Sequence, residues 1–281
     1  MTVKTVVIES MENYLAADGL ASSAIAHASH SMREYEAYIK GRLDKDTKAL
    51  SFGTLFHSFF EEGPEAFWKS RKTKPTHINR RTKDGKAEYE EFCKEFEGYE
   101  IVDPSDKYRI ERMYLSIITH PDPLLEMLLA SDHHAERSIY WDESGIKMKC
   151  RPDREITVDD GDAMSKIERL LGIEYRNSFD FKVCMDLKTT TSAAPNDWAR
   201  QFGTIQKFQY DLKAAHYIVG TDCDAFCWLA VESQEPFDVC LYWMSTQLMK
   251  RMTEKREQIV EQILRCKETN EYMGYPSNIV V

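Results

Sequence analysis

The stretch Phe-Asp-Phe-Lys-Val-Cys-Met-Asp-Leu-Lys, residues 179–188, alternates apolar and polar side chains along most of its length. Successive side chains of a β-strand point to opposite faces, so residues two positions apart share a face. One face would carry the apolar side chains Phe179, Phe181, Val183, Met185 and Leu187. The other face would carry Asp186 and Lys188 next to each other. The pattern therefore predicts a strand that presents an acidic and a basic group together on one face.

A second block of strands precedes this stretch. Residues 135–141 predict one strand, and residues 142–145, Asp-Glu-Ser-Gly, predict a turn. Residues 146–150 alternate again, which completes the pattern of a β-hairpin. Asp153 follows in Arg151-Pro152-Asp153, and we expect it to end the second strand of this hairpin.

Helical patterns dominate the first third and the end of the chain. Apolar residues recur at helical spacing in the segments 31–43, 50–62, 88–96, 107–118, 124–130, 201–219 and 246–267. Two further strands are predicted at 225–231 and 237–244. These elements predict an α/β fold with a mixed central sheet, flanking helices and a helical N-terminal region.

The length of 281 residues fits one large domain. We expect a mainly helical N-terminal part at 1–130, the core of the domain at 131–245, and a C-terminal helix and tail at 246–281.

Charge is unevenly distributed along the chain. The formal net charge of −10 by itself disfavours binding to nucleic acid. Residues 69–86, however, are rich in Lys and Arg, with only Asp84 as an acidic residue. Such a run suits a phosphate backbone, because each contact releases condensed counterions. A solvated surface loop is the alternative, and Arg80 and Arg81 are the candidates for DNA contact.

The cysteines and the hydropathy of the chain indicate a cytoplasmic protein. The seven cysteines are odd in number and widely spaced, which argues against a disulfide framework. The spacing of Cys223, Cys227 and Cys240 matches no strong metal motif, so buried thiols are expected. No segment offers the roughly 18 consecutive apolar residues of a membrane helix. We see no secretory signal at the N-terminus.

Asp153 and Asp186 would place two carboxylates near the backbone carbonyl of Leu187. Oxygen ligands of this kind can hold one or two Mg²⁺ ions, and Mn²⁺ can substitute. Bound metal would activate water and stabilise charge on a transferring phosphate. Lys188 is expected to orient the attacking water or to neutralise phosphate charge. An isolated Asp-x-Lys also occurs on solvated strand faces, so these residues alone leave the function open.

Several segments resemble one nuclease superfamily, and they do so in order along the chain. Residues 151–153 and 186–190, Asp-Leu-Lys-Thr-Thr, resemble the PD-(D/E)XK signature. Residues 53–57, Gly-Thr-Leu-Phe-His, resemble the Gly-x-x-x-His motif upstream of the core in RecE and RecB-like nucleases. Residues 21–25 and 210–217 resemble the Ser-rich helix start of RecE proteins and the helix after their active-site strands. The resemblance runs from about residue 20 to 245 and is closest to RecE-type exonucleases.

This resemblance implies a restriction-endonuclease-like core and a metal-dependent DNA exonuclease. The implied reaction is 5′-to-3′ digestion of linear double-stranded DNA, which leaves 3′ single-stranded tails for recombination. His57 matches an active-site histidine or metal ligand that acts with Asp153, Asp186 and the Leu187 carbonyl. Glu136 matches an acidic strand residue near the metal, with an exposed strand position as the alternative. Relatives form rings that enclose DNA, so the resemblance implies a homo-oligomeric ring whose 3′ tails would serve a single-strand annealing protein or a recombinase.

The helix predicted at 201–219 has two stripes. Its buried face would consist of Ile205, Phe208, Leu212, Ala215 and Val219. A second stripe, Gln206, Tyr210, Lys213 and Tyr217, is polar, aromatic and basic. We expect Tyr210, Lys213 and Tyr217 to contact DNA, with packing at a polar edge as the alternative. Many relatives carry Gln where this chain has Lys213, and lysine cannot accept a hydrogen bond.

The connector between Asp153 and Asp186 is longer than in relatives. We interpret residues 157–177 as an insertion that holds a short helix around 165–171. It would border the substrate or another subunit, or be neutral decoration, since surface insertions cost little.

Two other functions fit the same residues. An endonuclease or structure-specific nuclease on this core would cut closed circular DNA, whereas an exonuclease needs an end. A non-catalytic DNA-binding recombination scaffold would have no need for Asp153, Asp186 and Lys188 together.

Overall fold

A computed structural model describes residues 3–43, 47–173 and 181–276. In chain order the elements are β1 (Lys4–Val7), α1 (Met11–Ala16), α2 (Ser22–His30), α3 (Met32–Ile39), α4 (Thr47–Phe67), β2 (Arg71–Thr73), α5 (Lys83–Glu95), β3 (Glu100–Val102), α6 (Pro104–Ile118), α7 (Pro123–Ala130), β4 (His133–Ala135), β5 (Ser138–Glu143), β6 (Ile146–Cys150), β7 (Arg154–Val158), α8 (Gly161–Leu171), β8 (Phe181–Thr190), α9 (Pro195–Trp198), α10 (Thr204–Lys207), α11 (Tyr210–Thr221), β9 (Ala225–Glu232), β10 (Val239–Trp243) and α12 (Thr246–Thr269). Among the described helices, none is long and apolar enough to cross a bilayer.

A five-stranded mixed sheet in the order β10–β9–β8–β7–β4 forms the centre of the fold. β8 pairs in parallel with β9 and antiparallel with β7, and the two outer pairs are antiparallel. The strand predicted around residues 179–188 is confirmed as β8, while residues 179 and 180 lie outside the described residues. Because β8 is paired along both edges, its backbone groups are satisfied within the sheet.

The core divides between the two faces of this sheet. On one face, Val183, Met185 and Leu187 of β8 pack with α4, α6, α7 and α8. On the other face, Cys184 joins Phe226 of β9 in a layer with α9, α11 and α12. Burying apolar side chains on both faces removes them from water, which is the main favourable term in folding. The predicted α/β fold with helices flanking a mixed sheet is confirmed.

A smaller antiparallel sheet, β1–β5–β6, packs with α2, α3, α11 and α12. α11 contributes Leu212 to this second apolar layer and Ala214 and Ala215 to the layer on the central sheet. The helix is therefore held by apolar contacts on two sides.

A buried polar network adds to the attachment of α11. Arg256 of α12 donates to the two carboxylate oxygens of Glu143 in β5, at 2.8 and 2.6 Å, and to Nδ1 of His216 in α11 at 3.1 Å. His216 Nε2 lies 3.0 Å from the carbonyl oxygen of Lys149 in β6. Burial and the charge of Arg256 lower the pKa of His216 to about 3. The ring is therefore neutral at pH 7, with Nδ1 as acceptor and Nε2–H as donor to Lys149.

The prediction of one strand at 135–141 is wrong, because the chain changes sheets there. β4 ends at Ala135 and pairs with β7, whereas β5 begins at Ser138 and pairs with β1 and β6. Between them, Glu136 has a φ of 47°, in the left-handed region. The backbone is extended on both sides of this residue, so the hydrophobic pattern does not show the break.

The predicted position of Asp153 at the end of the second hairpin strand is also wrong. β6 stops at Cys150, and Asp153 directly precedes Arg154, the first residue of β7. The Pro152 ring removes a backbone donor, which favours a break between the two strands at this point.

The prediction of one continuous helix at 201–219 is wrong as well. α10 and α11 are separated at Phe208 and Gln209, and Gln209 has a φ of 55°. This left-handed residue changes the direction of the chain. As a result, Phe208 does not share the buried face of Leu212 and Ala215 and is 48% exposed.

Residues 157–177 are not a neutral insertion. Thr157 and Val158 belong to β7 and pair with β8, and α8 covers residues 161–171. Ala163 and Ile167 of α8 are buried in the core of the central sheet. The predicted helix is thus present but longer, and it connects two neighbouring strands. Residues 174–177 lie outside the described residues.

Candidate active site

The antiparallel pairing of β7 and β8 brings the two predicted aspartates together. Arg154 is opposite Met185, so Asp153 lies across from the segment Asp186–Leu187. The backbone N–H of Leu187 donates to Oδ2 of Asp153 at 2.7 Å. Two carboxylates that are distant in sequence therefore share one end of this strand pair.

Lys188 forms the centre of this group. Its Nζ lies 2.5 Å from Oδ2 of Asp186 and donates to the Leu187 carbonyl oxygen at 3.2 Å. Burial raises the pKa of the Asp186 carboxyl above its usual value, although the charge of Lys188 opposes this. Burial alone would lower the pKa of Lys188, but the charges of Asp186 and Asp153 raise it above its usual value. Lys188 is therefore a cation at neutral pH.

His57 reaches the same place from α4. Its Nδ1 lies 3.6 Å from Oδ2 of Asp153. A Cβ built on Gly53, one turn earlier, would lie 3.4 Å from Oγ1 of Thr189 in β8. This is an ordinary van der Waals distance, so α4 lies against the end of β8 at this position without depending on glycine there.

Glu61 is a site residue that sequence analysis missed. It lies one helical turn after His57, and Nε of Arg154 donates to its two carboxylate oxygens at 2.8 and 3.1 Å. Burial raises the pKa of Glu61, Arg154 opposes the rise, and the charge of Asp153 adds to it. The spacing of four positions between His57 and Glu61 was the available signal, since such residues share a helix face.

Glu136 lies beside Asp153 but pairs with an arginine. Its backbone N–H donates to the Asp153 carbonyl oxygen at 3.1 Å, and its Oε2 lies 3.0 Å from Nη2 of Arg151. Arg151 also donates through Nη1 to the carbonyl of Glu9. The carboxylate of Glu136 is thus engaged in an ion pair, and its role as a metal ligand stays a prediction.

α11 covers the site from the other direction. The Nζ atoms of Lys188 and Lys213 each lie 5.4 Å from the centre of the Tyr210 ring. Burial lowers the pKa of Lys213, and the positive charge of Lys188 lowers it further. Burial raises the pKa of Tyr217, with Asp186 and Asp153 adding to the rise. The predicted residues Tyr210, Lys213 and Tyr217 therefore lie around the group formed by Asp186 and Lys188.

The basic residues of the segment 69–86 have different environments in the fold. Arg71 forms ion pairs with Glu62 and Glu100, so its positive charge is balanced within the protein. Arg80 and Arg81 lie between β2 and α5 and are exposed, and the Arg80 guanidinium carbon is 4.4 Å from the centre of the Tyr89 ring. These two arginines are accessible to a ligand.

The oxygen donors at this site fit a hard divalent cation. Mg²⁺ keeps several waters and typically binds one or two carboxylates together with substrate phosphates. Asp153, Asp186 and the Leu187 carbonyl supply oxygens, and the Lys188 ammonium already contacts two of these groups as a cation. Within the described residues, no group of three or more His, Cys, Asp and Glu side chains is placed to hold a metal ion.

Comparisons with other proteins agree with this fold. Residues 157–278, less than half of the chain, match a family described as a PDDEXK-like domain of unknown function (DUF3799). The match includes Asp186 and Lys188 and leaves out His57 and Asp153. None of the curated proteins matches the sequence.

One solved structure shares the fold across nearly the whole chain. It is a protein from Eubacterium rectale, provisionally assigned as an exonuclease, with 16% identity and a TM-score of 0.59, covering 98% of this chain and 95% of that chain. A structure of SSO0001 is more distant, at 9% identity and a TM-score of 0.37 over 89% of this chain and 81% of its own, which is too low to define a fold. The likeness to the Eubacterium rectale protein shows a shared fold. Together with the domain match, it supports the predicted PD-(D/E)XK superfamily.

Proposed function

We propose that the protein is a divalent-metal-dependent deoxyribonuclease that hydrolyses DNA phosphodiesters. The observation that carries this proposal is the pairing of β7 with β8, which sets the carboxylates of Asp153 and Asp186 beside the Lys188 ammonium. Two carboxylates with an adjacent, half-buried cation suit the stabilisation of phosphate charge during hydrolysis.

Asp153, Asp186 and the Leu187 carbonyl would hold the metal, and His57 and Glu61 border this set from α4. Mg²⁺ is the ion of choice for carboxylate oxygens that face phosphate, and Mn²⁺ can replace it. When bound, the ion would lower the pKa of a coordinated water and neutralise developing negative charge.

The residues of the chain would position the DNA around this ion. Lys188 would donate from Nζ to a phosphate oxygen or to the attacking water, after exchanging its contact with the Leu187 carbonyl. The Tyr210 ring lies 5.4 Å from Nζ of Lys188, and Nζ of Lys213 lies 5.4 Å from the same ring. Tyr210 and Lys213 would hold the neighbouring phosphate and sugar of the same strand. Burial around Lys188 and Tyr210 would exclude water and strengthen these electrostatic contacts.

The finer activity follows the RecE-type resemblance. It is 5′-to-3′ digestion of linear double-stranded DNA by a homo-oligomeric ring in the cytoplasm, with 3′ single-stranded tails passed to an annealing protein or recombinase. An endonuclease on the same core is the competing function, and it differs in cutting DNA that has no ends.

Digestion of end-labelled DNA tests this function. Linear duplex DNA carrying different labels at its 5′ and 3′ ends would be incubated with the protein and Mg²⁺, beside a covalently closed circle and a reaction with EDTA. We expect early release of the 5′ label, an intact circle and no release in EDTA.

Other results of the digestion would favour a different polarity or a different function. Early release of the 3′ label would reverse the proposed polarity, and cutting of the circle would favour the endonuclease. Folded protein that binds DNA but cleaves neither substrate with Mg²⁺ or Mn²⁺ would favour the non-catalytic scaffold.

The exposed arginines of the basic run give a separate prediction. The double variant Arg80→Ala and Arg81→Ala should weaken binding to duplex DNA and reduce the slope of log K against log salt by about 1.8, because two phosphate contacts are lost. Fluorescence anisotropy in EDTA at several salt concentrations measures this slope. Lys166→Ala with Arg169→Ala on α8 removes the same charge elsewhere and serves as the control. An unchanged slope for the Arg80 and Arg81 variant would show that these residues do not touch phosphate.

A further inference from the structure

A second group of basic and aromatic side chains lies beside the proposed site, where α10 meets α11. It surrounds a cavity of about 510 Å³, with walls from the turn before α10, the break at Gln209 and one face of α12. The cavity is lined in part by Phe202, Lys207, Arg251 and Lys255. None of them belongs to the motifs that predict the nuclease site.

The cavity is positively charged in an acidic protein. Lys207, Arg251 and Lys255 line it, with Asp211 as the acidic member. Asp211 is buried, and its Oδ1 accepts from the backbone N–H of Leu212 at 2.8 Å. Among the described residues, no carboxylate forms an ion pair with any of the three basic side chains. The three basic residues and Asp211 give the cavity lining a formal net charge of +2, although the whole chain has a net charge of −10.

Phe202 projects into water from a tight turn. Its side chain is 80% exposed, its φ is 62°, and its backbone N–H donates to Oε1 of Gln206 at 2.7 Å. A Cβ on the next residue, Gly203, would lie only 2.7 Å from the carbonyl oxygen of Trp198, so the turn accepts only glycine there. Phe202 therefore adds an exposed aromatic ring to the basic lining of the cavity.

A second exposed ring connects the cavity to the nuclease site. Phe208 is 48% exposed and stacks on Tyr210, with ring centres 5.6 Å apart and an angle of 27° between the planes. Tyr210 in turn lies 5.4 Å from Nζ of Lys188. Aromatic surface therefore continues from the edge of the cavity to the residue that would hold the scissile phosphate.

We propose that this cavity binds unpaired nucleotides of the DNA strand whose phosphodiester lies at Lys188. Phe202 and Phe208 would stack on bases, and Lys207, Arg251 and Lys255 would contact phosphates, which is how proteins bind single strands without reading sequence. A closed duplex keeps its bases stacked on each other, so the exposed rings suit a strand that has separated from its complement. The proposal rests on the nuclease function proposed above, and it assigns a binding site to the strand that is cleaved.

Binding without cleavage tests the cavity. Fluorescence anisotropy in EDTA would measure the affinity for a labelled single-stranded oligonucleotide and for a duplex of equal length. We expect Phe202→Ala to weaken single-strand binding at least about fivefold, since a base loses one stacking partner. Tyr275→Ala, which removes a ring that is 74% exposed elsewhere, should leave the affinity unchanged.

The charges are tested by their salt dependence. Arg251→Ala with Lys255→Ala should lower the slope of log K against log salt by about 1.4 on a single strand, the value for two lost phosphate contacts. Arg265→Ala with Lys267→Ala removes two exposed charges from the same helix and should leave the slope unchanged.

The outcomes separate this proposal from the nuclease function. Unchanged single-strand affinity and slope in the Phe202 and Arg251/Lys255 variants would overturn the cavity proposal, even if the wild-type protein cleaves DNA. Equal loss of duplex and single-strand affinity in Phe202→Ala would also overturn it, because stacking requires unpaired bases. Failure of the nuclease function would be seen separately, as the absence of cleavage by the wild-type protein with Mg²⁺ or Mn²⁺.

Discussion

Replacing Lys188 with methionine is expected to lower Mg²⁺-dependent cleavage of linear duplex DNA by at least about a hundredfold, the usual effect of removing one preorganised charged donor. Methionine keeps the length of the side chain and fills the buried space. It removes the ammonium that lies 2.5 Å from Asp186 and contacts the Leu187 carbonyl. The phosphate would then lose its partner, and Asp186 would lose the charge that opposes the effect of burial on its pKa.

Lys182→Met is the matched control for this variant. Lys182 lies on the same strand, but its side chain is exposed and distant in register from the aspartates. Initial rates of end-label release would be compared for the two variants after circular dichroism shows that both are folded. Cleavage by Lys188→Met within a few-fold of the wild-type rate would remove Lys188 from the catalytic centre.

The strand that carries Lys188 could be predicted because its signal is local. The alternation in residues 181–188 reflects the period of a strand, and it holds Asp186 and Lys188 on one face whatever the rest of the chain does. Gly53 and His57 are similar, since residues four positions apart on a helix share one face. These features depend on neighbours in sequence, which a single sequence contains.

The rest of the site depends on contacts that a single sequence does not contain. Glu61 belongs to the site because Arg154 holds its carboxylate beside Asp153, and this requires α4 to pack on β7. The breaks at Glu136 and Gln209 are set by left-handed backbone at residues that are not glycine. Glutamate and glutamine do not by themselves indicate a left-handed conformation. The hydrophobic pattern therefore continues through each break and does not reveal it.

The connector between Asp153 and Asp186 was also interpreted wrongly, because its role depends on tertiary contacts. Comparison with shorter connectors predicted an insertion, but α8 buries Ile167 in the core of the central sheet. Whether an added helix is decoration or core is decided by its apolar face and by what that face meets. The sequence shows the apolar face of α8, but only the fold shows that this face packs against the central sheet.

Replacing Arg256 with methionine is expected to lower the free energy of unfolding by about 3 kcal/mol, near the lower end for breaking a buried ion pair. The Arg256 side chain is 1% exposed, and it donates to both oxygens of Glu143 and to Nδ1 of His216. Removing it leaves the Glu143 carboxylate, itself about three-quarters buried, and the histidine without their donor. We expect a loss near the lower end of the range for buried ion pairs because water can still reach part of Glu143.

A double variant separates the charge from the packing in this prediction. Arg256→Met with Glu143→Gln removes the unpaired carboxylate as well, so it should recover part of the stability lost in Arg256→Met. Urea unfolding followed by circular dichroism would measure both, with the exposed Arg265→Met on the same helix as the control. A loss below about 1 kcal/mol, the scale of exposed ion pairs, or a double variant no more stable than the single one, would contradict the role given to this network. Because Arg256 and His216 attach α11 to β5, β6 and α12, a protein that stays folded without Arg256 should also hold Tyr210 and Lys213 less firmly over Lys188.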